Sequence, residues 1–192
     1  MYSKSDLTTI DELTKGNVIK EYKEAVIKSP HDAEAHYNLG TVLDICGLVD
    51  DAIIEYRLAL KYRPNQADVF NDLGVALLER GLDTEALKNF DEVLHFSPRH
   101  VAAMHNSGNV YAKRGEIENA KRAYKAAIDF NPSDNSSYRK LGSLFSSEGH
   151  FEEAITAYRS ALKNDPNDAD THSNLGIALQ FTIMTPRIRT MV

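Results

Sequence analysis

The chain has 192 residues, 42% of them hydrophobic and 26% charged, a balance that supports a packed fold and excludes a largely disordered chain. A formal net charge of -6 argues against nucleic acid or anionic lipid as the partner. A single cysteine, Cys46, excludes an internal disulfide and a cysteine-based zinc site, and suits a reducing compartment.

Residues 1–15 form an N-terminal segment with no apolar run long enough for a signal peptide. Between Gly16 and Pro30, Val18, Tyr22, Ala25 and Val26 are spaced 4, 3 and 1, which places them on one face of a helix. Residues 31–64 open with His36, Leu39, Gly40 and Leu43, spaced 3, 1 and 3, and continue with Ala52 and Tyr56, four apart. Each half is one amphipathic helix. The same two patterns return in 65–98 (Phe70, Leu73, Gly74, Leu77, then Ala86, Phe90) and in 99–132 (Met104, Ser107, Gly108, Tyr111, then Ala120, Tyr124). They return again in 133–166 as Tyr138, Leu141, Gly142 and Phe145, then Ala154 and Tyr158. Ser107 is out of type on its apolar face. In 167–182 the first pattern recurs as His172, Leu175, Gly176 and Leu179, predicting a helix from Ala169 to about Phe181. The second pattern does not follow, and 183–192 reads as a divergent tail. No window approaches 18 consecutive apolar residues, so membrane insertion is not expected and a cytoplasmic location is.

Punctuation repeats with the pattern. Pro30, Pro64, Pro98, Pro132 and Pro166 stand 34 residues apart, each preventing a second helix from continuing. Gly47, Gly81, Gly115 and Gly149 keep the same interval, just past each first helix, where a left-handed backbone costs glycine little. Asp32, Asp134 and Asp168 precede first helices as N-caps. Asp50, Asp51, Glu85, Glu118, Glu152 and Glu153 fall in the first turn of second helices, where the helix dipole favours them. A mid-helix glycine costs about 1 kcal/mol against alanine. Gly40, Gly74, Gly108, Gly142 and Gly176 therefore imply a compensating close approach of the two helices, with the small residue Ala52, Ala86, Ala120 or Ala154 opposite.

With position 1 set at Ala33, the period of 34 and the markers at positions 4, 7, 8, 11, 20, 24, 27 and 32 resemble the tetratricopeptide-repeat (TPR) family over roughly residues 16–182. The resemblance implies an all-α, right-handed superhelical solenoid of antiparallel helix pairs, A and B. The units are a partial repeat at 16–30 (helix B), full repeats at 31–64, 65–98, 99–132 and 133–166, and a partial repeat at 167–182 (helix A). Leu175, Ile177, Leu179, Phe181 and Ile183 are expected to be exposed at the end of the stack, where solenoids need a polar cap. That end reads as the altered or truncated end of a longer array, as a tail docking on another protomer, or as disorder.

No chemical site stands out. His95, His100 and His105 are spaced by five and straddle Pro98, which does not suit two ligands on one helical face; His36 and His172 fall at core position 4. Nucleophile-elbow, dinucleotide and P-loop signatures are absent. Acid pairs such as Asp50–Asp51 read as helix N-terminal charge, and Cys46 as packed. No enzyme activity, metal or cofactor is expected.

What the resemblance implies is binding of a partner peptide or protein, without catalysis, in a concave groove lined by the A helices. The matching positions give Tyr37, Asn38, Thr41, Asn71, His105, Asn106, Asn109, Lys113, Arg139, Lys140, Ser143 and Asn174 as groove residues. Uncharged Asn, Ser, Thr and Tyr suit hydrogen bonding to an extended backbone. The recurring Asn at position 6 resembles the arrays attached to O-linked N-acetylglucosamine transferases, so a substrate-recognition segment of a larger enzyme is one alternative; a self-assembling structural scaffold is another. The family's carboxylate clamp is incomplete, because His105 and Lys140 replace the residues it needs. Residues 65–98 carry 7 acidic and 2 basic side chains whereas 99–132 carry 3 and 6. That asymmetry points to an acidic peptide near Arg99, Lys113, Arg139 and Lys140, or to self-association through the C-terminal end.

Overall fold

A computed structural model describes the backbone of residues 12–189 and the side chains of 13–183. Ten helices and no strand are found among the described residues: α1 (Glu12–Lys28), α2 (Ala33–Ile45), α3 (Val49–Tyr62), α4 (Ala67–Glu79), α5 (Asp83–Phe96), α6 (Val101–Lys113), α7 (Ile117–Phe130), α8 (Asn135–Ser147), α9 (Phe151–Asn164) and α10 (Ala169–Arg189). Even-numbered helices are the A helices and odd-numbered ones the B helices. The chain forms two compact units, one before and one after the Pro98–Arg99 bond. In the first, α1 to α5 each pack on the next, and α2 also touches α4; in the second, α6 to α10 do the same, and α8 touches α10. The architecture is all-α helical repeat.

Each hairpin turn is made by one glycine. Gly47, Gly81, Gly115 and Gly149 have φ between 73° and 80°, the left-handed region that other L residues enter only under strain. The chain then closes back on the helix it leaves: Leu48 N–H donates to the Leu43 carbonyl at 2.9 Å, as does Leu82 to Leu77. Asp32 and Asp134 cap α2 and α8 as expected, and the Asp168 carboxylate accepts from the Thr171 N–H at the start of α10. At α6 the cap is instead His100, whose Nδ1 accepts from the Ala103 N–H at 3.1 Å.

The close approach at position 8 is real, but its partner differs from the one expected. A Cβ added at Gly74 would lie 2.5 Å from Phe90 Cε1, at Gly108 2.6 Å from Tyr124 Cε1, and at Gly142 2.7 Å from Tyr158 Cε1. The aromatic ring at position 24 lies nearest over the glycine, and at Gly40 the Ala52 carbonyl oxygen also comes to 3.4 Å of the added Cβ. The rings themselves are buried: Tyr56, Phe90 and Tyr124 are at most 1% exposed. Alanine at position 20 is buried too (Ala52, Ala86, Ala120 and Ala154 are 0% exposed), and it admits the neighbouring helix beside the ring.

Four further expectations are corrected, the last of them for Leu175 and Leu179. First, α1 begins at Glu12, four residues before Gly16. Second, α10 runs on to Arg189 rather than ending near Phe181. The position that turns every other A helix is here Ile183 rather than glycine, so the residue that would reverse the chain is missing. Third, His36 is buried whereas His172, at the same position, is exposed, because no B helix covers it among the described residues. Leu175 and Leu179 are likewise half-buried rather than exposed, packed on Ala154, Ile155, Tyr158 and Ala178. Ile177, Phe181 and Ile183 are exposed as expected.

Candidate binding face on the A helices

In the first unit, the face holds Tyr37, Asn38 and Thr41 on α2 and Asn71 on α4, all half-buried. Its polar groups are largely engaged with one another. The Tyr37 hydroxyl donates to Asp72 Oδ2 at 2.9 Å, Thr41 Oγ1 donates to the Tyr37 carbonyl, and Asn71 Nδ2 donates to Asp72 Oδ1 at 3.3 Å. Burial, with the Asp72 carboxylate beside it, pushes the Tyr37 phenol well above its ordinary range. Asp72 is not among the expected groove residues. It sits at the same position as Asn38 one repeat on, and the hydrogen bond shows what an acid at that place can do.

The second unit gathers the rest. His105, Asn106, Asn109 and Lys113 lie on α6, Arg139, Lys140 and Ser143 on α8, and Asn174 on α10. Two cavities lie side by side here, one with a mainly polar lining and one with a mainly apolar lining that carries polar groups. Asn109, Lys113, Lys140 and Ser143 line one of about 340 Å³, together with Ala112, Tyr124 and Leu144. Arg139, Lys140, Ser143 and Asn174 line another of about 350 Å³, together with Asp170 and Ser173. Lys140 and Ser143 border both. The 3-4 spacing of the sequence puts these side chains on one helical face, and the α8·α10 packing brings α10 within reach of it.

Electrostatics divide the face unevenly. Arg139 Nη1 lies 3.4 Å from Asp168 Oδ2 and 3.7 Å from Asp170 Oδ2, so its charge is partly offset. Hydrogen bonds from the Thr171 hydroxyl, and then Arg139, hold the Asp168 carboxyl below its usual range. Lys140 is exposed and has no ion pair among the described residues. Arg99, expected near this basic group, instead sets its guanidinium over the Phe130 ring at 5.7 Å and lines neither cavity.

Beneath the cations lies a buried polar knot. His105 Nδ1 is 2.8 Å from the hydroxyl of fully buried Ser137, and its ring is 5.6 Å from that of Tyr124. Burial lowers the His105 pKa; Asp134 opposes this, while Lys140 and Arg139 reinforce it. The Tyr124 hydroxyl donates to Asn109 Oδ1 at 2.8 Å, which fixes the Asn109 amide at the cavity edge. His105 is thus tied to Ser137 and packed beside Tyr124 while remaining half-buried. Asp170 and Ser173 also line the second cavity; Ser173 stands one repeat beyond Arg139, at the same position of its A helix.

No group of three or more His, Cys, Asp or Glu side chains arranged for a metal is found among the described residues, and no described helix is long and apolar enough to cross a membrane.

Comparison with known proteins agrees with this architecture. A profile described as TPR repeat matches residues 108–149 and 142–180, and one described as tetratricopeptide repeat matches 19–61 and 47–101. No curated protein matches the chain by sequence. Among solved structures, MamA superposes with a TM-score of 0.75 at 24% identity, over 84% of this chain and 98% of that one. YrrB, a TPR protein with an unusual peptide-binding site, gives 0.69 at 20% identity, over 84% and 83%. A thermophilic TPR protein from Thermus thermophilus gives 0.67 at 25% identity, over 86% and 91%. With the period, the glycine turns and the ring-over-glycine packing already in hand, the chain belongs to the tetratricopeptide-repeat family.

Proposed function

We propose that this chain is a non-catalytic interaction scaffold that binds an extended peptide or protein segment along its A-helix face. One observation carries the reading: two adjoining cavities in the second unit share Lys140 and Ser143 as a common wall. Each is large enough for one or two side chains, and together they offer amide, hydroxyl and ammonium groups in a row. An extended segment brings unpaired N–H and C=O groups along its whole length, which Asn109, Ser143 and Asn174 can satisfy. The peptide-binding property of YrrB, a protein of the same fold, is in keeping with this use.

The cations make the partner acidic at its centre. Lys140 stands between the two cavities without an ion pair among the described residues, and Lys113 borders one of them, so an Asp or Glu side chain of the ligand meets positive charge there. The test is selection of peptides from a random library on the immobilised chain, followed by titration of the winners. Acidic sequences should be enriched, and K140E should weaken them about tenfold, equivalent to about 1.4 kcal/mol. Equal binding by the K140E chain, or no acidic bias, refutes the assignment of this face.

A further inference from the structure

Two of the ten described helices lack the partner that their position in the repeat calls for. α1 is a B helix, α10 is an A helix, and neither packs against its complement among the described residues. We infer that a second copy of this chain supplies it: α1 of one molecule docks on α10 of another as the missing B helix, giving head-to-tail association.

Register matches the two helices. Only the first full repeat pairs histidine at position 4 with glutamate at position 23. There His36 Nδ1 lies 2.6 Å from Glu55 Oε2, while Nε2 lies 3.1 Å from the Pro30 carbonyl oxygen. The other full repeats have Phe70, Met104 and Tyr138 at position 4, facing Asn89, Ala123 and Ala157. The orphan helices divide the same pair between them. α10 carries His172, whose Nε2 already lies 2.8 Å from the Pro166 carbonyl oxygen, and α1 carries Glu21 at the place of Glu55. An imidazole held as in His36 and a carboxylate in the register of Glu55 are complementary in charge and hydrogen bonding.

The next residue repeats the correspondence. Tyr56 lies over Gly40, where an added Cβ would be 2.8 Å from its Cδ1. Tyr22 follows Glu21 as Tyr56 follows Glu55, and it is only half-buried. Among the described residues nothing lies within 4 Å of a Cβ added at Gly176, so its notch is open there. Ala25 is exposed where its counterpart Ala59 is 0% exposed. The docked surface is also continuous with the existing α9–α10 packing. Both orphans are long at matching ends. α10 extends past the turn position, and α1 starts three residues earlier in the repeat than α3 does. Without a connecting turn between two molecules, the helices are free to run on side by side.

Sedimentation equilibrium on the intact chain tests this. The wild-type mass should rise with concentration. G176L fills the notch and E21K reverses the charge; each alone should associate at least about tenfold more weakly. Neither disturbs the single molecule, because Gly176 faces open space and Glu21 is exposed, and circular dichroism should confirm intact helix. A one-to-one mixture of the two variants retains one good α10 and one good α1, and should form a two-chain species and nothing larger. A wild-type chain that stays monomeric up to its solubility limit overturns the inference. So does association unaffected by either variant, or a mixture that remains monomeric. Loss of peptide binding by K140E with association intact separates this result from the reading of the A-helix face.

Discussion

Replacing Gly108 with alanine sets two effects against each other. Alanine is the better helix former, by about 1 kcal/mol in a helix interior. The new Cβ, however, would stand 2.6 Å from Tyr124 Cε1 and 2.7 Å from Cδ1, well inside van der Waals contact. To restore contact the ring must retreat by roughly 0.8 Å. It is poorly placed to do so: Ala120 and Leu141 are buried against it, and its hydroxyl is tied to Asn109. Overpacking of this kind costs about 1–3 kcal/mol, so the net effect is destabilisation of up to about 2 kcal/mol. Gly176→Ala provides the internal comparison. Among the described residues nothing lies within 4 Å of its added Cβ, so only the helix-propensity gain remains and the variant should be more stable by about 1 kcal/mol. Urea denaturation followed by circular dichroism, at a concentration where the chain is monomeric, reads both. Adding Tyr124→Ala removes the clash and should turn Gly108→Ala from harmful to neutral or helpful, a coupling of about 1–3 kcal/mol. Equal stabilisation by both glycine substitutions, or a coupling near zero, would refute the ring-over-glycine account.

Ser107 is buried on the apolar face of α6 and its hydroxyl has no hydrogen-bond partner, so Ser107→Ala should raise stability by about 1 kcal/mol in the same denaturation assay. Tyr124 predicts an alkaline limit. Burial pushes its phenol from 10.0 up to about 12, so between those values the unfolded chain has lost a proton that the folded chain keeps. Stability should therefore be level with respect to this group below pH 10 and fall above it, by at most about 1.4 kcal/mol per pH unit. Tyr124→Phe should remove that share of the slope, which a series of melts across the alkaline range would show.

Much of the fold was legible because the repeat states its own geometry. The glycines at 47, 81, 115 and 149 and the prolines between repeats mark helix ends by backbone preference, which depends on local chemistry alone. What sequence spacing could not tell was side-chain reach. It puts Gly108 and Ala120 on facing helices, but a ring one turn further on, Tyr124, leans back over the glycine, because helical side chains point toward their N-terminus. The length of α10 escapes the spacing for a related reason: the period places the end of an A helix near Phe181, whereas Ile183 lacks the backbone freedom on which that ending depends. On the A-helix face, the spacing indicated which residues share a surface. It did not indicate that Tyr37 is engaged with Asp72, or that Arg139 is drawn toward Asp168 and Asp170. Those pairings join residues about one repeat apart and depend on rotamers.

Within each unit, the stacking of helices on their sequence neighbours also bears on how the chain reaches its native state. The Tyr37–Asp72 hydrogen bond spans 35 residues, and the contacts inside a hairpin are more local still. Little loop entropy has to be surrendered before such contacts form, so the search is short and the ordering of one hairpin prepares the surface for the next. During synthesis, a repeat that has cleared the ribosome already holds most of what it needs to fold, long before the last codons are read.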